Sequence, residues 1–287
     1  MAKSILHTIE SSMSGFSKGQ KRIAGYILEN YDKAAFMTAS KLGKLVGVSE
    51  STVVRFASEL GYDGYPSMQR ALQEMIRSRL TSTQRIQAAG DMFSGQDVLA
   101  AVVQSDMEKL RTTQERINRR AFSGAVEALL SARRIYILGV RSSSALAIFL
   151  GYYLDYMFDD VRVITASAES EVFERIIRIT PQDTVVGISF PRYSTATCKA
   201  LQYCASAGAQ VIALTDCEAS PIAPSAKYLL TAKSDMVSLV DSMVAPMSLI
   251  NALLVAVASR RKQEVTETFD NLEKVWDRYD VYEKVDG

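Results

Sequence analysis

Two short hydroxyl-rich stretches offer chemistry. The first is Ile137-Leu138-Gly139-Val140-Arg141-Ser142-Ser143-Ser144, running from a β-branched run into a helical one. The second runs from Gly187 to Thr195, GISFPRYST, and makes the same transition. A strand that passes into a helix presents free backbone N–H groups and the positive end of the helix dipole, which suits a phosphate. Serine hydroxyls add short donors without bulk. Arg141 stands two residues after Gly139, where a dinucleotide fingerprint has its second glycine, so that fingerprint is not met. The plainer role of such serines is helix capping, expected of at least one in each cluster. Two such junctions on neighbouring crossovers point to an anion site containing Ser142, Ser143, Ser144, Ser189 and Ser194.

Other chemistries have little material. His7 is the only histidine, which argues against Cys/His zinc sites and histidine-based triads in the body of the chain. Cys198, Cys204 and Cys217 are too few and scattered for a disulfide framework, and reduced thiols fit best. Glu169, Glu171 and Glu174 follow the second β-branched run and could reach the cleft as bases, but they read more simply as dipole-stabilising residues at a helix start. The expectation is no catalytic residue, no metal and no cofactor.

The elements that must position the serines are legible. The runs RRIYILG, VRVIT, DTVVGIS, AQVIALTD and KYLLT alternate with helical segments such as SSALAIFLGYYLDYMF and TATCKALQYCASAG. That alternation predicts a doubly wound parallel sheet of five strands with both faces covered, an arrangement that binds ligands at strand C-termini. The apolar stretch Met243 to Ala258 is too short for a membrane span of ~20 residues. It reads as a helix that covers the sheet or joins two copies. Asp97 to Ile117 has helical apolar spacing at Leu99, Val102, Val103, Met107, Leu110 and Ile117.

The head differs in kind. In TASKLGKLVGVSESTVVRFASEL, from Thr38 to Leu60, the residues Ala39, Leu42, Leu45 and Val46 form a stripe on one short helix. Gly47 supplies a left-handed turn, Ser49 an N-cap, and the next helix buries Val53, Phe56 and Leu60, with Val54 and Ala57 beside them. Two helices joined by a short glycine-containing turn match the helix-turn-helix unit whose second helix enters the major groove. Ser51, Thr52 and Arg55 would face the groove; Lys41 and Lys44, with Lys18 and Lys21, would flank the backbone. Tyr62 and Tyr65 either stack on sugar-phosphate or pack the following helix.

Charge supports this division. Residues 1–80 hold 11 Lys/Arg against 7 Asp/Glu, a net of +4, whereas the whole chain is at +1. A basic head with an anionic partner follows, while bulk coating of nucleic acid does not. The polar stretch Ser78 to Gly95 reads as a linker. The resulting division is a DNA-binding head over 1–80, a linker and connecting helix over 81–120, and the α/β body over 121–287. The N-terminus lacks the pattern of a secretory signal, and a cytoplasmic location is expected.

TASKLGKLVGVSESTVVRFASELGYDGYPSMQRAL resembles the helix-turn-helix of the RpiR/MurR family of bacterial transcriptional regulators, and the body resembles a sugar isomerase (SIS) domain. The resemblance spans roughly residues 3–262. It implies an all-α head joined to an SIS-like α/β domain, binding a double-stranded DNA operator and a phosphorylated sugar or sugar-acid effector. It makes Ser143 a phosphosugar-binding serine. In the usual Ser-x-Ser-Gly-x-Thr junction, Ser189 takes the place of the first serine and Ser194 that of the threonine, while Pro191 and Arg192 replace the inner Ser-Gly. Arg141 also stands where glycine is usual. Two added arginines either grip a more anionic ligand or pair with Glu169 or Glu171.

The competing class is a phosphosugar isomerase with an accessory head. Aldose–ketose isomerisation needs a positioned base and often a histidine acid, and the body has no histidine. A regulator of carbohydrate-metabolism genes is the expectation. It should act as a homo-oligomer, a dimer or tetramer, because paired half-sites need paired recognition helices.

Overall fold

The computed structural model describes residues 5–76, 83, 86, 97–166, 168–234 and 240–282. They form two compact units, one made chiefly of the residues up to Val103 and the other of those from Gln104 onward. The stretch expected as a linker, Ser78 to Gly95, lies outside the described residues apart from positions 83 and 86.

The first unit is helical: α1 (Ile5–Ser12), α2 (Lys18–Glu29), α3 (Tyr31–Ala34), α4 (Ala39–Val46), α5 (Glu50–Glu59) and α6 (Tyr65–Ile76). Its core holds Ile9, Ile23, Ile27, Leu42, Val53, Phe56, Met68 and Leu72, all fully buried. Helix starts follow local chemistry. Ser17 and Gln20 form a reciprocal capping box on α2, and Thr38 Oγ1 accepts from the amide of Lys41 at 3.2 Å. Tyr65 is buried, its hydroxyl donating to the carbonyl of Met37 at 2.7 Å, and burial pushes its pKa up to about 12. It packs the last helix and has no free face for a sugar-phosphate.

The expected stripe on α4 is displaced. The buried residues are Ala39, Leu42 and Gly43, with Val46 half-buried, while Leu45 is 56% exposed. Positions 39, 42, 43 and 46 follow the helical repeat, and Leu45 falls off that side. On α5, Val53, Phe56 and Ala57 are buried, Leu60 is half-buried just beyond, and Val54 is exposed.

The second unit carries most of α7 (Val98–Arg116), then α8 (Arg119–Leu130), β1 (Ile135–Gly139), α9 (Ser143–Asp155), β2 (Val161–Ile164), α10 (Glu169–Ile176), β3 (Thr184–Ile188), α11 (Thr195–Ser206), β4 (Gln210–Thr215), β5 (Tyr228–Thr231), α12 (Val244–Arg260) and α13 (Lys262–Tyr279). The five strands are parallel, as the alternation predicted, and the structure sets them in the order β2-β1-β3-β4-β5. Strand side chains alternate between two cores. Ile135, Ile137, Val186 and Ile188 pack with α8, α9 and α12, whereas Tyr136, Leu138 and Val185 pack with α10 and α11. The apolar stretch from Met243 thus becomes a sheet-covering helix, burying Leu249, Ile250, Leu253 and Val257.

On α7 half of the expected apolar repeat is open: Leu99, Val103 and Met107 are exposed, while Val102, Leu110 and Ile117 are half-buried and Lys109 and Thr113 are buried. Lys109 Nζ donates to Ser105 Oγ at 2.7 Å and lies 3.3 Å from Asp106 Oδ1, which also accepts from Ser242 Oγ at 2.6 Å. Leu110 and Ile117 pack against the sheet core, and polar partners cover Lys109 beside them.

Candidate effector and DNA-binding sites

The strand order reverses between β1 and β3. The helix after β1 goes to one face of the sheet and the helix after β3 to the other. A crevice opens at such a point beyond the strand C-termini, and open α/β sheets bind ligands there. Gly139 pairs in register with Ile188, so the two serine junctions emerge side by side.

At the first junction a Cβ on Gly139 would lie 2.7 Å from the carbonyl oxygen of Ser143. Only glycine lets α9 begin so close to its strand. The three serines then differ in what their hydroxyls do. Ser142 occupies the N-cap position but makes no capping bond. Ser144 donates back to the carbonyl of Arg141 at 2.6 Å. Ser143 is 5% exposed, lies in the first turn of α9, and its hydroxyl has no hydrogen-bond partner among the described residues. Arg141 has φ +56°, a left-handed conformation costing about 1–2 kcal/mol for a residue with a Cβ.

At the second junction Ser189 is 3% exposed, and its hydroxyl oxygen accepts from the amide of Ser194 at 3.3 Å. Ser194 is the N-cap of α11, accepting from the amide of Thr197 at 3.3 Å. The capping role expected of one serine per cluster belongs here to Ser194. Its lone pair holds α11 while its hydroxyl proton stays available. Arg141 and Arg192 are exposed, and neither forms an ion pair among the described residues. The pairing with Glu169 or Glu171 is not found. Glu169 meets Lys199 at 2.7 Å, and Glu171 meets Arg175 at 3.5 Å, each a nearer cation on a helix.

Residues absent from the sequence reading complete this region. Tyr193 donates to Asp216 Oδ1 at 2.7 Å. Burial and the Asp216 carboxylate push the Tyr193 hydroxyl well above its ordinary range, so it stays a donor. The Thr215 hydroxyl donates to the carbonyl of Ser189 at 2.8 Å and meets Ser220 Oγ at 2.7 Å. Thr197 Oγ1 is fully buried with no hydrogen-bond partner among the described residues. The sequence did carry a signal for Thr197. It precedes the buried Ala200, Leu201 and Cys204 by three, four and seven residues, the spacing of one helical face. Cys204 is inert packing, its thiol pushed up to about 12 by burial.

In the head, Gly47 has φ +67° and closes α4, its amide reaching the carbonyl of Gly43. Ser49 caps α5 by accepting from the amide of Thr52, and its hydroxyl lies 2.9 Å from that of Ser51 and 2.8 Å from that of Thr52. Ser51, Arg55, Lys41 and Lys44 are exposed, whereas Thr52 is half-buried. A cleft of about 600 Å³ lies between the start of α2 and the turn, bordered by Gln20, Arg22, Ser49, Thr52 and Arg55. The starts of two helices thus share one concave surface with two guanidinium groups, a setting for a backbone phosphate. Arg22 was missed; a Cβ on Gly47 would stand 3.2 Å from its Nη1.

Comparison with known proteins agrees with both units. Residues 3–79 match the helix-turn-helix domain of the rpiR family, and residues 128–256 match the SIS domain. An HTH-type transcriptional regulator of Caldanaerobacter subterraneus is 24% identical, over 94% of this chain and 96% of its own. The HTH-type transcriptional regulator HexR of Pseudomonas aeruginosa is 23% identical, over 90% of each chain. Among solved structures, the sugar isomerase domain of an RpiR transcription factor from Sphaerobacter thermophilus is 29% identical, covering 62% of this chain and 99% of its own, with a TM-score of 0.60. The NanR protein of Vibrio vulnificus, solved with ManNAc-6P, shares the fold at 23% identity and a TM-score of 0.57, covering 96% of this chain and 98% of its own. With both domains matched in this order and relatives aligned along almost the whole length, the chain belongs to the RpiR family of HTH-type transcriptional regulators.

Proposed function

We propose that this protein represses or activates carbohydrate-metabolism genes by binding an operator through residues 1–80 and a phosphorylated sugar through residues 121–287, with 81–120 connecting the two. The observation that carries the sensing half is the pair Ser143 and Ser189. Both are buried beyond the ends of adjacent strands, and the Ser143 hydroxyl has no hydrogen-bond partner among the described residues. Their hydroxyls and those of Ser142, Ser144 and Ser194, with the N–H groups that open α9 and α11, form the phosphate cradle. The head contacts backbone through Lys41, Lys44, Ser49 and Thr52, and bases through Ser51 and Arg55. Paired heads on a dimer or tetramer fit a two-fold operator. Such a regulator works in the cytoplasm, where DNA and phosphosugars meet; no single described helix is long and apolar enough to cross a membrane.

The relatives aligned along most of the chain are named transcriptional regulators, which supports a sensor over an isomerase. Of the three glutamates that a catalytic reading would use, Glu169 is engaged with Lys199 and Glu171 with Arg175. The test is operator binding by the full chain to DNA flanking its own gene, with and without a panel of sugar phosphates. Salt-sensitive binding that one sugar phosphate shifts is the expected result. Ser143→Ala and Ser189→Ala should each weaken that response by about 1.5–3 kcal/mol, roughly 10- to 150-fold. Turnover of an aldose phosphate would overturn the reading.

A further inference from the structure

We infer that the outer face of α9, α12 and α13 is the surface through which two copies of this chain join. α9 carries no charged residue before Asp155, and α12 none before Arg260. Helices that are apolar all round belong inside a structure. Here each buries only one side, α9 through Leu146 and Leu150 and α12 through Leu249 and Leu253, in the same core. On the other side Ile148, Tyr152 and Val255 are each more than half exposed. α13 turns away from α12 by 97°, and none of its 18 residues is buried. Val265, Phe269, Leu272, Trp276 and Tyr279 nevertheless fall on one helical side. An amphipathic helix owes most of its stability to packing of that side. In one copy Phe269 and Trp276 reach only half-burial, against Tyr156 and Tyr282. Ring contacts make the regions continuous: Tyr152 meets Tyr156 at 5.2 Å, Tyr156 meets Phe269 at 5.2 Å, and Phe269 meets Trp276 at 6.4 Å.

The surface fits a second copy of itself. Helices of 13, 17 and 18 residues are ~20, ~25 and ~27 Å long and ~10 Å wide, so their outer sides offer about 700 Å². That is the scale of a stable interface, about 800 Å² on each partner. Aromatic rings are enriched in the cores of such interfaces, and polar groups form their rims. The rim is present where Arg260 meets Glu127 of α8 at 2.9 Å. An uncharged patch offers a different protein no charge to read, whereas two-fold packing sets identical apolar patches face to face. A membrane is the poorer occupant: the polar side of α13 holds five acidic residues against three basic, the wrong sign for an anionic lipid surface. The choice of a second copy also rests on the reading of the head as one of a pair on a two-fold operator.

The experiment is sedimentation velocity on the full chain over a dilution series from about 100 μM down to nanomolar. Emission from Trp276, the only tryptophan, is followed over the same series. An assembly of two or four chains is expected, with Trp276 emission moving to the red as it dissociates. Ile148→Glu on α9 and Val275→Glu on α13 put a charge into the interface at positions that are about half exposed in one copy. Each should halve the mass of the assembly with the circular dichroism of the fold retained, while Ile148→Val keeps the wild-type mass. Operator binding by the two glutamate variants should weaken about 100-fold, since paired heads lose their avidity. The Trp276 readout uses the unaltered chain, so it decides even where a variant fails to fold. An assembly whose mass neither folded glutamate variant changes, or whose dissociation leaves Trp276 emission unmoved, overturns the surface and leaves the regulator reading standing. A wild-type chain that is monomeric over the whole series overturns the surface and the paired heads together.

Discussion

The backbone amide of Lys233 donates to the hydroxyl of Thr113 at 2.9 Å. That bond ends a short chain that begins in the serine crevice. The carbonyl of Ser189 accepts from Thr215 Oγ1 at 2.8 Å, and the carbonyl of Thr215 accepts from the amide of Ala232 at 2.8 Å. Lys233 comes next, and Thr113 sits on α7 with its side chain buried. A helix that begins at Val98 is thus hydrogen-bonded to the strand ends around the proposed effector site.

Thr113→Val keeps the shape of the side chain and removes the acceptor. The Lys233 amide then loses this bond, at a cost of about 0.5–1.5 kcal/mol in stability. Effector affinity, measured by calorimetry, should stay within about two-fold. The effector-induced change in operator affinity should shrink, because the ligand shifts an equilibrium only through contacts that differ between states. A full wild-type response in Thr113→Val would show that this chain carries no coupling.

Arg141→Gly should raise the midpoint of thermal unfolding. Relief of the left-handed conformation is worth about 1–2 kcal/mol, offset in part by the larger entropy of an unfolded chain with one more glycine. The net gain expected is about 1 kcal/mol or less, read by calorimetry without ligand. A fall in Tm would mean that the Arg141 side chain makes contacts that outweigh the strain.

Thr197→Val replaces a buried, unpartnered hydroxyl by a methyl group of similar shape. Removal of an unsatisfied polar atom should stabilise the free protein by about 1–2 kcal/mol. If effector affinity is unchanged, the hydroxyl plays no part in binding. A loss of ten-fold or more would place Thr197 among the ligand's donors.

Asp183 is fully buried, and its carboxylate accepts from Arg133 Nε and Nη2 at 3.0 Å and from the Thr180 amide at 2.7 Å. Burial alone would raise its pKa; the Arg133 and Thr180 bonds outweigh it and hold the carboxyl below the ordinary range. A depressed folded pKa stabilises the protein above the unfolded value of about 3.9. That contribution is lost as pH falls through the folded value. Asp183→Asn should lower stability at pH 7 by about 1–3 kcal/mol, since it weakens the bonds from Thr180 and Arg133 while the half-exposed Arg133 keeps much of its hydration. The variant's unfolding should also vary less with pH below about pH 4. Denaturant titrations from pH 3 to 7 on both proteins measure this.

Arg55→Ala should weaken specific operator binding by about 1–3 kcal/mol if Arg55 reads a base, and Lys44→Ala should act uniformly across sequences while reducing the salt slope by about one. Fluorescence anisotropy over a range of salt concentrations separates the two.

Most of the architecture was decided by local patterns. The five strands, the capped helices of the head and the turn at Gly47 each rest on short-range chemistry: β-branched runs, a hydroxyl before a helix, a residue that tolerates positive φ. The location of the serine junctions follows from the alternation of strand and helix, since parallel strands all end on one side. What the pattern leaves open is rotation and partnership. Which of three consecutive serines faces inward depends on how α9 is turned, and burial of Leu146, Ala147 and Leu150 turns Ser143 in with them. The apolar repeat of α7 describes a face without saying what covers it, so Leu99, Val103 and Met107 are open while Lys109 and Thr113 are covered. The partners of Glu169 and Asp216 lie on other elements, brought near only by packing. Periodicity is a property of one segment; a hydrogen bond between segments exists only once the sheet has set their distance.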